Sequence, residues 1–250
     1  MARKRDKSVL HRVNMLNTEL ADVAPGRIAQ LAEWPRGAWN LASLLLAGER
    51  LRAAPRGDGR PVLILPGLFN SDRSNFAMRG FLNRIGYRAY PWRLGRNLGA
   101  RAIGAEGERL IARIEAIHAE TGEPVTLIGV SLGGIMARIA AHRRPELVRE
   151  VITVSAPFAG PATATNVWRA FEWLTGDRID DPLVRARAAE AAAALPMPST
   201  AIWSRSDGLV NGLICRDESC RSIEVDSSHV GVQLNPDVLL AIAGILAEAH

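Results

Sequence analysis

Ten residues, Val125-Thr-Leu-Ile-Gly-Val-Ser-Leu-Gly-Gly134, restrict the folds open to this chain more than any other feature. Val125–Val130 is a short apolar run, the pattern of a strand buried on both faces. Residues 132–142 read as helix, so the chain passes straight from strand to helix at Ser131, inside Gly129-x-Ser131-x-Gly133. A corner that sharp would bring flanking side chains into the strand and helix, which calls for glycine on either side. It also holds the serine hydroxyl outward, beside the free N–H groups and positive dipole end of the new helix. A serine that merely caps a helix after a tight turn is the plain alternative.

Around this corner the sequence alternates between the two periods. Residues 62–65, 88–92, 150–154, 200–204 and 222–225 read as further strands. Helices are expected at residues 75–85, 102–120 and 236–249. Short strands alternating with helices predict an α/β fold, a mostly parallel sheet with helices on both faces. Residues 13–54 are helical in pattern but interrupted at Pro25-Gly26 and Pro35-Arg36-Gly37, and 55–59 form a turn-rich linker. Residues 159–198 carry no strand pattern. They hold Trp168, Phe171 and Trp173, then an Ala-rich helix; a small helical cap over a pocket is one reading, and an ordinary helix with an elongated connection the plain alternative.

A serine hydroxyl is a weak nucleophile until a base takes its proton. Of five histidines, His11 and His250 are terminal, His118 lies late in a surface-like helix, and His142 is about three helical turns from Ser131. His229 sits in Val225-Asp-Ser-Ser-His-Val-Gly231, a loop leaving the last strand, where this architecture gathers working side chains. An acid must then fix the imidazole tautomer. Asp207 lies just beyond the strand at 200–204, in Ser204-Arg-Ser-Asp-Gly208, and is preferred to Asp180, Asp181, Asp217 and Asp226. A turn-forming Asp-Gly pair is its plain alternative.

The order Ser131, Asp207, His229 resembles the alpha/beta-hydrolase superfamily over roughly residues 60–248. Val151-Ile-Thr-Val-Ser-Ala-Pro157 and the Asp207 loop are similar to segments of its bacterial esterases and lipases. Pro66-Gly67-Leu68 is similar to the family's His-Gly-x oxyanion loop, with Pro66 in place of histidine. The resemblance implies an oxyanion hole from the backbone N–H groups of Leu68 and Leu132, with Phe69 the alternative donor. There is no Gly-Gly-Gly motif of the hormone-sensitive-lipase type, and Ser131 stands where dehalogenases and epoxide hydrolases carry Asp. The implied activity is hydrolysis of small-molecule or lipid esters with an apolar acyl part, through an acyl-enzyme and without cofactor or metal. A thioesterase, lactonase or acyltransferase would use the same residues, and a non-catalytic binding protein at a membrane surface is the alternative of a different class. Phe69, Phe158, Trp168, Phe171 and Trp173 are candidates for the cap and acyl pocket. On this reading residues 1–60 are a helical N-terminal extension with a basic tail, and 61–250 the hydrolase domain.

Charge and cysteine usage add the setting. A chain with 48% hydrophobic and 23% charged residues and a mean hydropathy close to zero suits a soluble globular protein. Residues 1–60 hold 11 Lys/Arg against 6 Asp/Glu, which accounts for the whole formal charge of +5. Arg3, Lys4, Arg5, Lys7 and Arg12 face only Asp6 in the first twelve. Weak contact of residues 1–12 with an anionic membrane is the partner this suggests, and a solvated terminus the plainer reading; no nucleic acid is expected. No apolar stretch follows the basic start, so no secretory signal is expected and the reading is cytoplasmic, peripheral to a membrane at most. Cys215 and Cys220 are expected to be reduced.

Overall fold

In strand β1 (Pro61–Leu65), Val62 and Ile64 face one side of a sheet, Leu63 and Leu65 the other, and all four are buried. Strands β3 (Val125–Val130) and β4 (Val148–Val154) divide in the same way: Ile128, Val130, Ile152 and Val154 join the first layer, Val125, Leu127 and Val151 the second. Period-two alternation with both sets apolar requires helices on both faces. The computed structural model, which describes residues 21–248, has this architecture. Six strands lie in the order β2-β1-β3-β4-β5-β6, every pairing parallel, with β2 (Arg88–Pro91), β5 (Ser199–Trp203) and β6 (Arg221–Glu224) completing the sheet.

One layer is built by helices α2 (Gly48–Arg52), α3 (Phe76–Ile85) and α9 (Pro236–Ala247). The other is built by α4 (Ala100–Ile103), α5 (Glu108–Thr121) and α6 (Leu132–Arg143). Helices α7 (Trp168–Thr175) and α8 (Pro182–Ala192) occupy the long connection between β4 and β5. Among the described residues no helix is long and apolar enough to cross a membrane. The basic segment 1–12, residues 13–20 of the expected helical region, His11 and His250 lie outside the described residues.

The structure corrects two expected elements. The helix expected over 102–120 is two helices, because Gly104 and Gly107 take positive φ (93° and 75°) and break the run. Conversely, Pro35-Arg36-Gly37 does not interrupt the N-terminal region: α1 (Arg27–Leu46) runs through it. An interior proline costs a helix about 3 kcal/mol. Here Glu33, Arg36 and Asn40 hydrogen-bond to the loops after β5 and β6, and this tertiary anchorage outweighs the local penalty. Helix α1 is amphipathic in the inverted sense. Glu33, Gly37 and Asn40 are buried, whereas Ile28, Leu31, Trp34, Trp39, Leu45 and Leu46 are exposed.

Candidate active site

The corner between β3 and α6 places Ser131 at φ 52°, ψ −121°, a conformation costing of order 1–3 kcal/mol for a non-glycine residue. Its N–H donates to the Val154 carbonyl at 2.8 Å, and its carbonyl accepts from Gly134 at 2.8 Å, which pins the turn from both sides. The glycines are required by close approach. A Cβ on Gly129 would lie 2.4 Å from the Gly133 carbonyl oxygen, and one on Gly133 would lie 2.5 Å from that of Leu65.

The parallel register brings the ends of β3, β5 and β6 to one edge, and Asp207 and His229 lie in the loops that leave β5 and β6 there. The buried Asp207 Oδ1 accepts the N–H groups of Leu209 at 3.0 Å and Val210 at 2.8 Å, which fixes the carboxylate plane. Its Oδ2 lies 2.7 Å from His229 Nδ1, and His229 Nε2 lies 3.1 Å from Ser131 Oγ. With the Nδ1 proton donated to Asp207, Nε2 presents a lone pair that can accept a proton from Ser131 Oγ. Burial pulls the His229 pKa down. The charge and hydrogen bond of Asp207, with the Glu33 carboxylate behind them, outweigh it and raise the pKa above the ordinary imidazole value. Asp226 is engaged elsewhere: Arg36 and Ser206 bind its Oδ1 at 2.9 and 2.5 Å.

Polar groups that no sequence motif marks brace these loops. Glu33 accepts from Gly208 and Val230, and Asn40 Nδ2 donates to Ser228 Oγ at 2.9 Å. Asn166 Nδ2 binds the carbonyls of Pro25 and Gly208, each at 2.9 Å. Fully buried Asn97 holds the loop after β1, its Nδ2 donating to the Pro66 carbonyl at 2.7 Å. Each is a lone polar residue in an unremarkable context, and burial is the property that marks it.

Leu68 and Leu132 line the same cavity as Ser131, and their N–H groups make no hydrogen bond among the described residues. Phe69 is corrected as a donor, because its N–H is taken by the Asn97 carbonyl at 2.7 Å. The cavity, about 210 Å³, runs from Ser131 between α6, α7 and α8 and is mostly apolar, with Ile135, Met136, Ile139 and Val184 in its wall. Phe158, Trp168 and Phe171 line it. Trp173 and Phe69 do not. Trp168 and Phe171 are three apart on α7 and share a face, while Trp173 is turned about 200° from Phe171 and is 84% exposed. Phe69 lies outside the cavity, half exposed beneath the Arg96 guanidinium at 4.7 Å. Cys215 and Cys220 are free thiols, and burial pushes the Cys215 pKa well up.

A family model described as the alpha/beta hydrolase fold matches residues 108–192. A triacylglycerol lipase of Burkholderia plantarii is 30% identical over 148 residues, 52% of this chain and 41% of that protein. The chain spans about two fifths of the length of the curated relatives it matches. A Bacillus licheniformis lipase structure aligns with a TM-score of 0.55 at 17% identity, covering 78% of this chain and 94% of its own. A thioesterase domain from the curacin biosynthetic pathway aligns at 0.52 and 16% identity, covering 78% and 93%. At these identities the structural likeness is one of fold.

Proposed function

We propose that this chain, a protein of the alpha/beta-hydrolase fold resembling bacterial lipases and esterases, hydrolyses carboxylic esters with an apolar acyl part. The observation that carries the reading is the relay from Asp207 through His229 to Ser131, at 2.7 and 3.1 Å, opening on an apolar cavity. Ser131 Oγ attacks the ester carbonyl as His229 Nε2 takes its proton. The N–H groups of Leu68 and Leu132 receive the developing oxyanion, each worth roughly 3–4 kcal/mol to the transition state. The tetrahedral intermediate collapses, His229 returns the proton to the departing alkoxide, and an acyl-enzyme remains. Water then attacks with His229 as base, and its collapse releases the acid and restores Ser131. Residues 159–198 act as a cap, with Phe158, Trp168 and Phe171 forming the acyl wall.

A p-nitrophenyl ester series from acetyl to palmitoyl tests this, with Ser131→Ala alongside and a fluorophosphonate label on Ser131. The expected result is hydrolysis lost by on the order of a million-fold in the variant. Wild-type protein that neither turns over esters nor takes the label refutes it. Added alcohol, amine or thioester substrates distinguish the acyltransferase and thioesterase variants of the same chemistry.

The outward face of α1 favours a lipid surface as the place of action. It exposes Trp34, Trp39 and several aliphatic residues, and its one acidic residue, Glu33, is buried on the opposite side. An apolar face with tryptophans and no exposed acid, in a chain whose first twelve residues are basic in sequence, suits an anionic interface. The proposed setting is the cytoplasm, peripheral to the membrane. Co-sedimentation with anionic but not neutral vesicles, weakened by Trp34→Ser with Trp39→Ser, is expected. Elution as a dimer with no vesicle binding assigns the face to a second copy instead.

A further inference from the structure

We propose that Glu33 is a positioning residue for the triad, its buried carboxylate holding the acid loop and the base loop to each other from α1. The inference rests on the triad reading above. Glu33 is 1% exposed. Its Oε1 accepts the Gly208 N–H at 2.7 Å, and its Oε2 accepts the Val230 N–H at 2.8 Å. Gly208 directly follows Asp207 and Val230 directly follows His229. A single planar group therefore sets the spacing of the two backbone segments that carry the acid and the base. Neither N–H has another acceptor among the described residues.

The neighbouring positions on α1 serve the same seat. A Cβ on Gly37 would lie 2.9 Å from Val230 Cγ1 and from its carbonyl oxygen, so only glycine lets the helix come this close. Asn40 Nδ2 reaches Ser228 Oγ at 2.9 Å and the Val230 carbonyl at 3.4 Å. Among the described residues no cation pairs with Glu33, and Arg36, one turn on, is turned to Ser206 and Asp226. A buried carboxylate without a counter-ion is costly to hold and is kept here by two N–H donors. Its charge is then felt at low dielectric by the imidazole beside Val230, where a positive charge forms in each chemical step. The groups facing His229 are Asp207 from the β5 loop, Ser131 from the corner and Glu33 from α1. Two carboxylates thus favour the imidazolium, Asp207 by direct contact and Glu33 by its charge from behind the loop it holds.

Glu33→Gln and Glu33→Asp separate the two contributions. Glutamine keeps the shape but loses the charge, and turns an NH2 group toward one of the two N–H donors. Its kcat is expected to fall ten- to a hundredfold, the scale of a misplaced catalytic group. The acid limb of kcat/KM moves to lower pH by about half a unit or more. Aspartate keeps the charge but cannot span both loops, so kcat falls while the limb stays. Titration of the His229 imidazole by NMR reads the same midpoint without turnover, so a wild type inactive on esters refutes the ester reading alone. A folded Glu33→Gln protein with an unmoved His229 midpoint, or one with wild-type kcat, overturns the proposal. Should Glu33→Gln fail to fold, wild-type kcat in folded Glu33→Asp overturns it.

Discussion

Replacing Asp207 by asparagine tests the relay at its most informative point, because the structure dictates which way the new amide faces. Asp207 Oδ1 accepts two backbone N–H groups, from Leu209 and Val210, while Oδ2 meets His229 Nδ1. If the asparagine NH2 took the Oδ1 place, two buried donors would confront a third, at about 1–3 kcal/mol for each lost acceptor. The amide oxygen therefore stays on Leu209 and Val210, and the NH2 group is presented to His229. A donor there forces Nδ1 to accept, so the imidazole proton moves to Nε2 and points at Ser131 Oγ. The serine then has a donor where it needs an acceptor. Loss of the correct tautomer costs about ten-thousandfold in kcat, roughly 5 kcal/mol of barrier, while the retained N–H bonds leave folding nearly unchanged. Stopped-flow or steady-state hydrolysis of p-nitrophenyl esters, with urea unfolding as the control for stability, measures both. A folded Asp207→Asn protein keeping more than about a tenth of wild-type kcat would refute the tautomer argument.

Because the base must be neutral to act, kcat/KM should rise with pH to a plateau, with its midpoint above the ordinary imidazole value of about 6.5; a midpoint below that value contradicts the site's electrostatics. The same raised pKa makes the folded state favour the protonated ring. That stabilisation is complete below about pH 6.5 and fades as pH rises through the folded pKa, so the Tm gap between wild type and His229→Gln should be wider at about pH 5.5 than at about pH 9. Gly133→Ala drives a Cβ to 2.5 Å from the Leu65 carbonyl oxygen and 2.7 Å from that of Pro66. It should cost about 1–3 kcal/mol by urea midpoint and displace the Leu68 donor, so unchanged activity argues against that donor. Ile135→Trp fills the cavity beside Ser131 and should lower the ratio of long-chain to acetyl ester kcat/KM by tenfold or more; an unaltered ratio removes this cavity as the acyl site.

The sheet was legible because its strands are short apolar runs whose alternate residues face two helical layers, as at Val62–Leu65 and Val125–Val130. Ser131, Asp207 and His229 were legible for a related reason: each follows a strand end by a few residues, where parallel register gathers loops at one edge. The side of a helix was harder to read. Trp173 lies two residues from the cavity-lining Phe171, yet the helical turn carries it to solvent. Pro35 and Gly37 looked like breaks because local propensity ranks them so, and the helix continues because its contacts lie with loops almost 200 residues away.

Helix α1 inverts the rule by which helices are recognised, and that inversion has a mechanical consequence. The stripe of Glu33, Gly37 and Asn40 buries little apolar area, apart from half-buried Leu44 one turn further on, so hydrophobic transfer contributes little around Glu33. What seats it is hydrogen bonding: Glu33 to Gly208 and Val230, Arg36 to Ser206, Asn40 to Ser228. Bonds to charged groups contribute about 1.5–3 kcal/mol each. The donors and acceptors on the far side belong to the loops carrying Asp207 and His229, which have no strand partner of their own at those positions. Helix and loops therefore lose the same bonds when either lets go, and they should open as one cooperative unit. Native-state hydrogen exchange reads this directly. The amides of Gly208 and Val230 should share the opening free energy of the α1 amides around Glu33, and Glu33→Asp should lower all of them together. Protection of the two loop amides at the level of the central strands, unmoved by Glu33→Asp, would show that the Asp207 and His229 loops are held by the sheet and that α1 only rests on them.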